Sequence, residues 1–240
     1  MRNRSENKVE IVFIRHGRTP ANKENRYLGK TDESLSLEGI EALRQEKAEK
    51  IYPEIDYLFA SPMKRCIETA DILYPGKVPI LVPQWKEMDF GLFEGKNYQE
   101  LNGDKQYQAW IDSGGTLPFP QGESRPCFLQ RCSQGMYESV DRYRELFTGG
   151  VKIGCVVHGG TIMALLSTFY GGEYFDYQVK ILFIIMVTDC TPQKRIHFFC
   201  DALTVTIPNR IKQSISIPFF CTVIKPFNNG RFKNFFYFSV

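Results

Sequence analysis

Two short apolar runs, far apart in the chain, stop at the same pair of residues: IVFI over 11–14 leads into Arg15, His16 and Gly17, and VV over 156–157 leads into His158 and Gly159. Short β-branched and aromatic runs closed by glycine read as buried strands of a parallel sheet. After the second, two glycines make a turn and an apolar helix pattern runs over 161–170, ended by Gly171. A third strand end lies between them. YLFA over 57–60 is followed by Ser61 as a helix N-cap, Pro62 at the first helical position and Arg65 in the first turn. SLEGIEALRQEKAEKIY suits a helix with Leu37, Ile40 and Leu43 inward, and KVPILV suits a further strand. Strands alternating with helices predict an α/β fold with a mostly parallel central sheet, flanked by helices on both faces.

Residues 85–122 break this pattern into glycine, proline, aromatic and charged residues, with helical potential in NYQELNGDKQYQAWID. They read as a long excursion over one end of the sheet, where lid and specificity groups are commonly carried. A helix over 138–147 then leads into the strand beginning at Val151. The last fifty residues differ in kind, with nine phenylalanines and seven Lys or Arg against the single acid Asp201. They show neither a sustained helical period nor clean alternation. The chain therefore divides into a first domain over 1–180 and a divergent aromatic and basic segment over 181–240, in which ILFIIMVT can serve as a last strand. So abrupt a shift after Lys180 is also what a change of reading frame would leave, and translating the gene in its other frames tests this.

Residues just after different strands of an open parallel sheet converge beyond the strands' carboxyl ends, where ligands bind. Arg15, His16, Arg65 and His158 all occupy such positions. Guanidinium forks match phosphate oxygens, and helix N-termini add N–H donors, so the cluster suits a phosphoryl dianion. A neutral imidazole can attack phosphorus through one nitrogen while the other donates to a carbonyl. In this scheme His16 is the nucleophile, and His158 with the arginines stabilises charge on the transferring oxygens. The leaving alkoxide also needs a proton, which a carboxyl of raised pKa supplies. Glu87, set between Trp85 and Met88, is the candidate, with Asp89 and Glu94 as alternatives.

These segments carry a resemblance. Through RHGRTPAN, SPMKRCIETA, EMDFGLFEG, GES and VVHGGT, residues 9–180 resemble the histidine phosphatase superfamily, the phosphoglycerate-mutase-like proteins. The resemblance implies phosphorylation of His16, phosphate binding by Arg15, Asn22, Arg65 and His158, and Glu87 as the acid. Arg18 and Thr19 either touch substrate or begin a helix. Glu123 and Ser124 either contribute donors or a cap at the pocket, or structure their loop. The short stretch from Glu87 to Gly122-Glu123-Ser124 looks like the compact phosphatase branch, and DFGLFEGKNYQEL and PQGES most resemble α-ribazole phosphatase, of the cobalamin pathway. The implied activity is hydrolysis of a small phosphorylated metabolite, by a monomer or homodimer, without metal or other cofactor. A mutase that returns the phosphoryl group to a bound product is the nearest rival, and a non-catalytic phosphate-pocket protein with a damaged C-terminus is the other.

Composition excludes other classes. A formal net charge of +3 without a concentrated basic face argues against a nucleic-acid partner. The charged start MRNRSENKVE has no signal-like apolar stretch, and the longest apolar run, ILFIIMV, is too short to span a membrane. Seven cysteines with no C-x-x-C pair read as reduced thiols of a cytoplasmic protein, and His197 lies outside every motif.

Overall fold

The computed structural model describes residues 8–49, 52–146, 150–177, 183–189 and 203–206. The divergent segment over 181–240 lies outside the described residues except for two strands, whose backbone alone is described.

The elements run in the order β1 (Lys8–Arg15), α1 (Pro20–Lys23), α2 (Leu37–Ala48), β2 (Tyr57–Ala60), α3 (Lys64–Leu73), β3 (Ile80–Leu81), α4 (Lys105–Asp112), α5 (Arg125–Arg142), β4 (Lys152–Val157), α6 (Gly159–Tyr170), β5 (Phe183–Asp189) and β6 (Leu203–Thr206). The sheet order is β3-β2-β4-β1-β5-β6. The first four strands are parallel, as the alternation of strands and helices predicts. β5 lies antiparallel to β1, from Ile14 opposite Phe183 to Lys8 opposite Asp189, and β6 lies antiparallel to β5.

Helices cover both faces because the strand side chains alternate. Val9, Ile11 and Phe13 of β1 join Phe59, Ile153 and Cys155 on one face, packed by Phe128, Cys132 and Met136 of α5 and Ile162 and Leu165 of α6. Val12 and Ile14 join Leu58, Ala60 and Val156 on the other, packed by Leu43 of α2 and Cys66, Ala70 and Leu73 of α3. The excursion closes around Tyr27 as an aromatic cluster, with Phe90, Phe93, Trp110 and Phe119 in tilted, edge and stacked contacts. No helix among the described residues is long and apolar enough to cross a membrane.

Local details correct the sequence reading. Leu37 is 84% exposed while Leu43 is buried and Ile40 half-buried. Steps of three residues drift round a helix, so Leu37 sits about 120° from Leu43 and misses the sheet. The helix read over 138–147 is the end of a longer one: α5 begins at Arg125, N-capped by Ser124 with proline in its first turn. Phe147 lies outside the described residues. The strand in KVPILV shortens to Ile80–Leu81 at the sheet edge. Gly159 and Gly160 are not a turn but the first residues of α6, with His158 as N-cap. Ser61 is not the N-cap of α3, which is Met63: the helix starts two residues later than read, and the Ser61 hydroxyl meets both Met63 N–H, at 3.5 Å, and His158 Nε2.

Candidate active site

The parallel strands β1, β2 and β4 end side by side. His16 N–H donates to Val157 O, and Ser61 N–H donates to Val156 O, both at 3.0 Å. The three strand ends named in the sequence thus meet, and the His16 and His158 rings lie 5.2 Å apart in an edge arrangement.

His16 Nδ1 lies 2.7 Å from Gly17 O, an arrangement in which Nδ1–H donates and the proton is fixed on that nitrogen. Nε2 is left with its lone pair and accepts no hydrogen bond among the described residues. The Gly17 amide is anchored in turn by donation to Thr69 Oγ1 at 2.9 Å. Burial holds the His16 pKa well below 6.5, and the Arg65 and Arg15 cations push it the same way. The ring is therefore neutral near pH 7, the state in which nitrogen is a nucleophile.

His158 differs. Arg65 Nε–H donates to its Nδ1 at 3.3 Å, which puts the proton on Nε2, and Nε2–H donates to Ser61 Oγ at 2.8 Å. Cys66 Sγ packs against the same ring at 3.6 Å, its thiol pushed up to about 12 by burial. Burial, followed by Arg65, keeps the His158 pKa well below 6.5 too.

Arg65 is fully buried. Besides His158, its Nη1 donates to Thr31 O and its Nη2 to Gly29 O, each at 2.9 Å. Nη2 also donates to Leu28 O at 3.5 Å, so four of the five N–H donors of the guanidinium are engaged and one, on Nη1, remains for an anion. Arg15 lies beside the start of α6, where a side chain at Gly159 would come within 3.4 Å of its Nε. Burial lowers the Arg15 pKa, opposed by Glu87 and assisted by Arg18.

Glu87 reaches the same end of the sheet from the loop after β3. Its carboxylate accepts from its neighbour Met88 N at 2.9 Å and from Gly160 N at 3.2 Å, in the first turn of α6. A Cβ at 160 would collide with Glu87 Oε1, so glycine there is what admits the carboxylate. Desolvation raises the Glu87 pKa above 4.5, only partly offset by those two N–H groups and by Arg65 and Arg15. That is the direction a proton donor needs. Asp89 instead accepts from Gly91 N and pairs with Lys30.

The remaining candidates fall into structural places. Thr19 and Asn22 form a reciprocal capping box on α1, so Asn22 Oδ1 is committed to Thr19 N–H and its amide nitrogen is the group left for an anion. Arg18 is exposed, and its carbonyl holds Ser36 N–H. Glu123 is paired bidentately with Arg131, and Ser124 caps α5. Arg131 was not foreseen. It donates to Gln84 O at 2.6 Å, Lys86 O at 3.0 Å and Glu87 O at 3.4 Å, bracing the backbone that carries Glu87. Its contacts span more than forty residues, and no local pattern announces them. Ser61 and Thr69 were missed as site residues as well, although both stand in the SPMKRCIETA motif. No group of three or more His, Cys, Asp or Glu among the described residues could hold a metal ion.

The chain is similar in sequence and fold to known proteins. The model of the histidine phosphatase superfamily (branch 1) matches residues 11–180. Phosphoglycerate mutase-like protein 4 of Arabidopsis thaliana is 31% identical over 165 residues, 65% of this chain and 69% of that one. A 2,3-bisphosphoglycerate-dependent phosphoglycerate mutase of Neisseria meningitidis is 34% identical over 46% of this chain, and there the match spans about half, 53%, of the relative. The α-ribazole phosphatase of Shigella flexneri superposes with a TM-score of 0.65 at 21% identity, covering 78% of this chain and 96% of that one, which is a likeness of fold. Phosphoserine phosphatase of Entamoeba histolytica, in complex with 3-phosphoglyceric acid, gives 0.59 at 27% identity over 75% and 90%.

Proposed function

The chain belongs to the histidine phosphatase superfamily, branch 1, and from that premise we propose that it hydrolyses the phosphomonoester of a small metabolite through a phosphohistidine on His16. The observation that carries this reading is the His16 ring, with Nδ1 tied to Gly17 O and Nε2 left open beside Arg65 and His158.

Two in-line transfers follow. The Nε2 lone pair attacks phosphorus, the P–O ester bond breaks, and the leaving alkoxide takes the proton of the Glu87 carboxyl. Glu87, now a carboxylate, then removes a proton from water. The resulting hydroxide attacks the phosphohistidine, the N–P bond breaks, and phosphate leaves with His16 neutral again. Arg15, Arg65 and the Asn22 amide nitrogen hold the phosphoryl oxygens, the charge stabilisation the reaction needs without a metal. The free thiols Cys66, Cys127, Cys132 and Cys155 support placing the protein in the reducing cytoplasm.

Within the family, DFGLFEGKNYQEL and PQGES favour α-ribazole 5′-phosphate as substrate. The match to bisphosphoglycerate-dependent mutases favours a second reading, in which the phosphoryl group returns to a bound product. One screen tests both. Phosphate release is measured from α-ribazole phosphate, phosphoserine and 3-phosphoglycerate, alongside isomer formation from the last, with His16→Ala as control. Phosphate release and an acid-labile phosphoenzyme, both absent in His16→Ala, are expected. Isomer formation without phosphate release selects the mutase, and a fully active His16→Ala protein overturns the mechanism.

A further inference from the structure

Arg65 owes its place to a carboxylate it does not touch. Its Nη groups are held by the carbonyls of Gly29 and Thr31. The N–H groups of those same two residues both donate to one oxygen, Glu94 Oε1, at 2.9 and 3.0 Å. The loop thus lies between an anion that gathers its N–H groups and a cation that gathers its carbonyls. Bonds polarised in this sense reinforce one another. The other carboxylate oxygen, Glu94 Oε2, is buried and has no hydrogen-bond partner among the described residues. A buried unpartnered oxygen is destabilising, so its retention calls for an explanation, and the bridging by Oε1 supplies one. Gly29 completes the arrangement, since a Cβ there would collide with Met88 O and come within 2.9 Å of Glu94 Oε2.

We propose that Glu94 is a positioning residue for phosphate recognition, fixing the loop at Gly29 and Thr31 so that their carbonyls aim the Arg65 guanidinium at the phosphoryl group. The assignment deepens the phosphatase reading and rests on it for the role of Arg65. It makes the segment EMDFGLFEG serve twice: Glu87 faces the leaving group, and Glu94 governs the arginine from behind.

The test titrates inorganic phosphate calorimetrically into the full chain, with kcat and KM for p-nitrophenyl phosphate measured in parallel. Glu94→Ala removes the bridge and is expected to weaken phosphate about tenfold and lower kcat by ~10 to 10², the scale of a misplaced group. Glu94→Gln keeps an amide oxygen at the same reach and restores both to within about threefold, a rescue that a role for the negative charge as such would not give. Glu94→Asp, one methylene shorter, behaves like alanine and serves in its place if alanine lowers the melting temperature. In an Arg65→Ala background, Glu94→Ala has no further effect, because the two act as one unit. A Glu94→Ala protein that binds phosphate like the parent, or whose loss adds in full to that of Arg65→Ala, overturns the assignment. Phosphate binding that follows the expected series in a protein that hydrolyses no ester overturns the phosphatase reading and leaves the assignment standing.

Discussion

The ends of β1 and β4 are built alike, each a buried strand running into His-Gly, yet they hold their imidazoles in opposite ways. His16 is fixed through one nitrogen by a backbone carbonyl, with the other open. His158 is fixed through both nitrogens by the side chains of Arg65 and Ser61. Burial depresses both pKa values, so both rings are neutral. In the proposed mechanism, what suits His16 to be the nucleophile and His158 to be a stabilising imidazole is therefore not protonation but which lone pair remains free. For His158 to touch a phosphoryl oxygen it must exchange a partner, and the Arg65 bond, at 3.3 Å, is the longer of the two.

Substitutions can break that contrast. His16→Ala should abolish the phosphoenzyme and lower kcat by on the order of 10⁵ or more, as loss of a nucleophile does. His158→Ala should lose roughly 10² to 10³ and still form phosphoenzyme slowly, as loss of one transition-state donor does. Single-turnover trapping with labelled substrate compares the two, and equal losses would erase the distinction. Arg65→Ala belongs with His158, at roughly 10² to 10³. Glu87→Gln should lose ~10² or more on an alkyl phosphate and much less on p-nitrophenyl phosphate, whose leaving group needs no proton. Ser61→Ala frees the Nε2 proton of His158, and the loss of one buried hydrogen bond should cost about tenfold in kcat/KM, with phosphoenzyme formation intact.

The smallest expected effect is on stability against pH. The unfolded chain binds protons at histidine below about 6.5, whereas folded His16 and His158 resist them. Stability rises with pH wherever the unfolded state holds more protons, so this contribution is complete above about 6.5 and is lost progressively as pH falls below it. Glu87 has the opposite sign. Its folded pKa is raised, so stability declines as pH climbs from 4.5 through the raised value. In denaturant melts from pH 4.5 to 7.5, His158→Leu should therefore remove part of the loss of stability below about 6.5, and Glu87→Gln should remove the decline that begins at 4.5 and ends at the raised Glu87 pKa. A melt series unaltered by either substitution would contradict the burial of these groups.

Much of this site was legible before any coordinates, and the reason is locality. His16, Arg65 and His158 each follow a strand within a few residues, so the strand pattern and the placement rule for parallel sheets locate them together. Glu87 was a choice among three acids, and the structure separates them by partner: Asp89 is paired with Lys30 and Glu94 bridges the loop at Gly29 and Thr31. Arg131, Ser61 and Thr69 were not legible in these roles because each acts on a residue more than forty positions away. The start of α5 escaped for a different reason. RPCFLQRCSQG mixes arginine, glutamine, cysteine and glycine, and its helical face is recognisable only once Phe128, Cys132 and Met136 are seen against the sheet. Leu37 shows the converse error, an apolar residue at a plausible spacing with nothing to pack on.

β1 lies inside the sheet, with β4 on one side and β5 on the other, and its chain runs from there directly into His16. Amide protons of an interior strand exchange with solvent only when the whole domain opens, so those of Val12, Phe13 and Ile14 should be among the last to be replaced by deuterium. The time for which His16 stays aimed is then the lifetime of the folded domain itself.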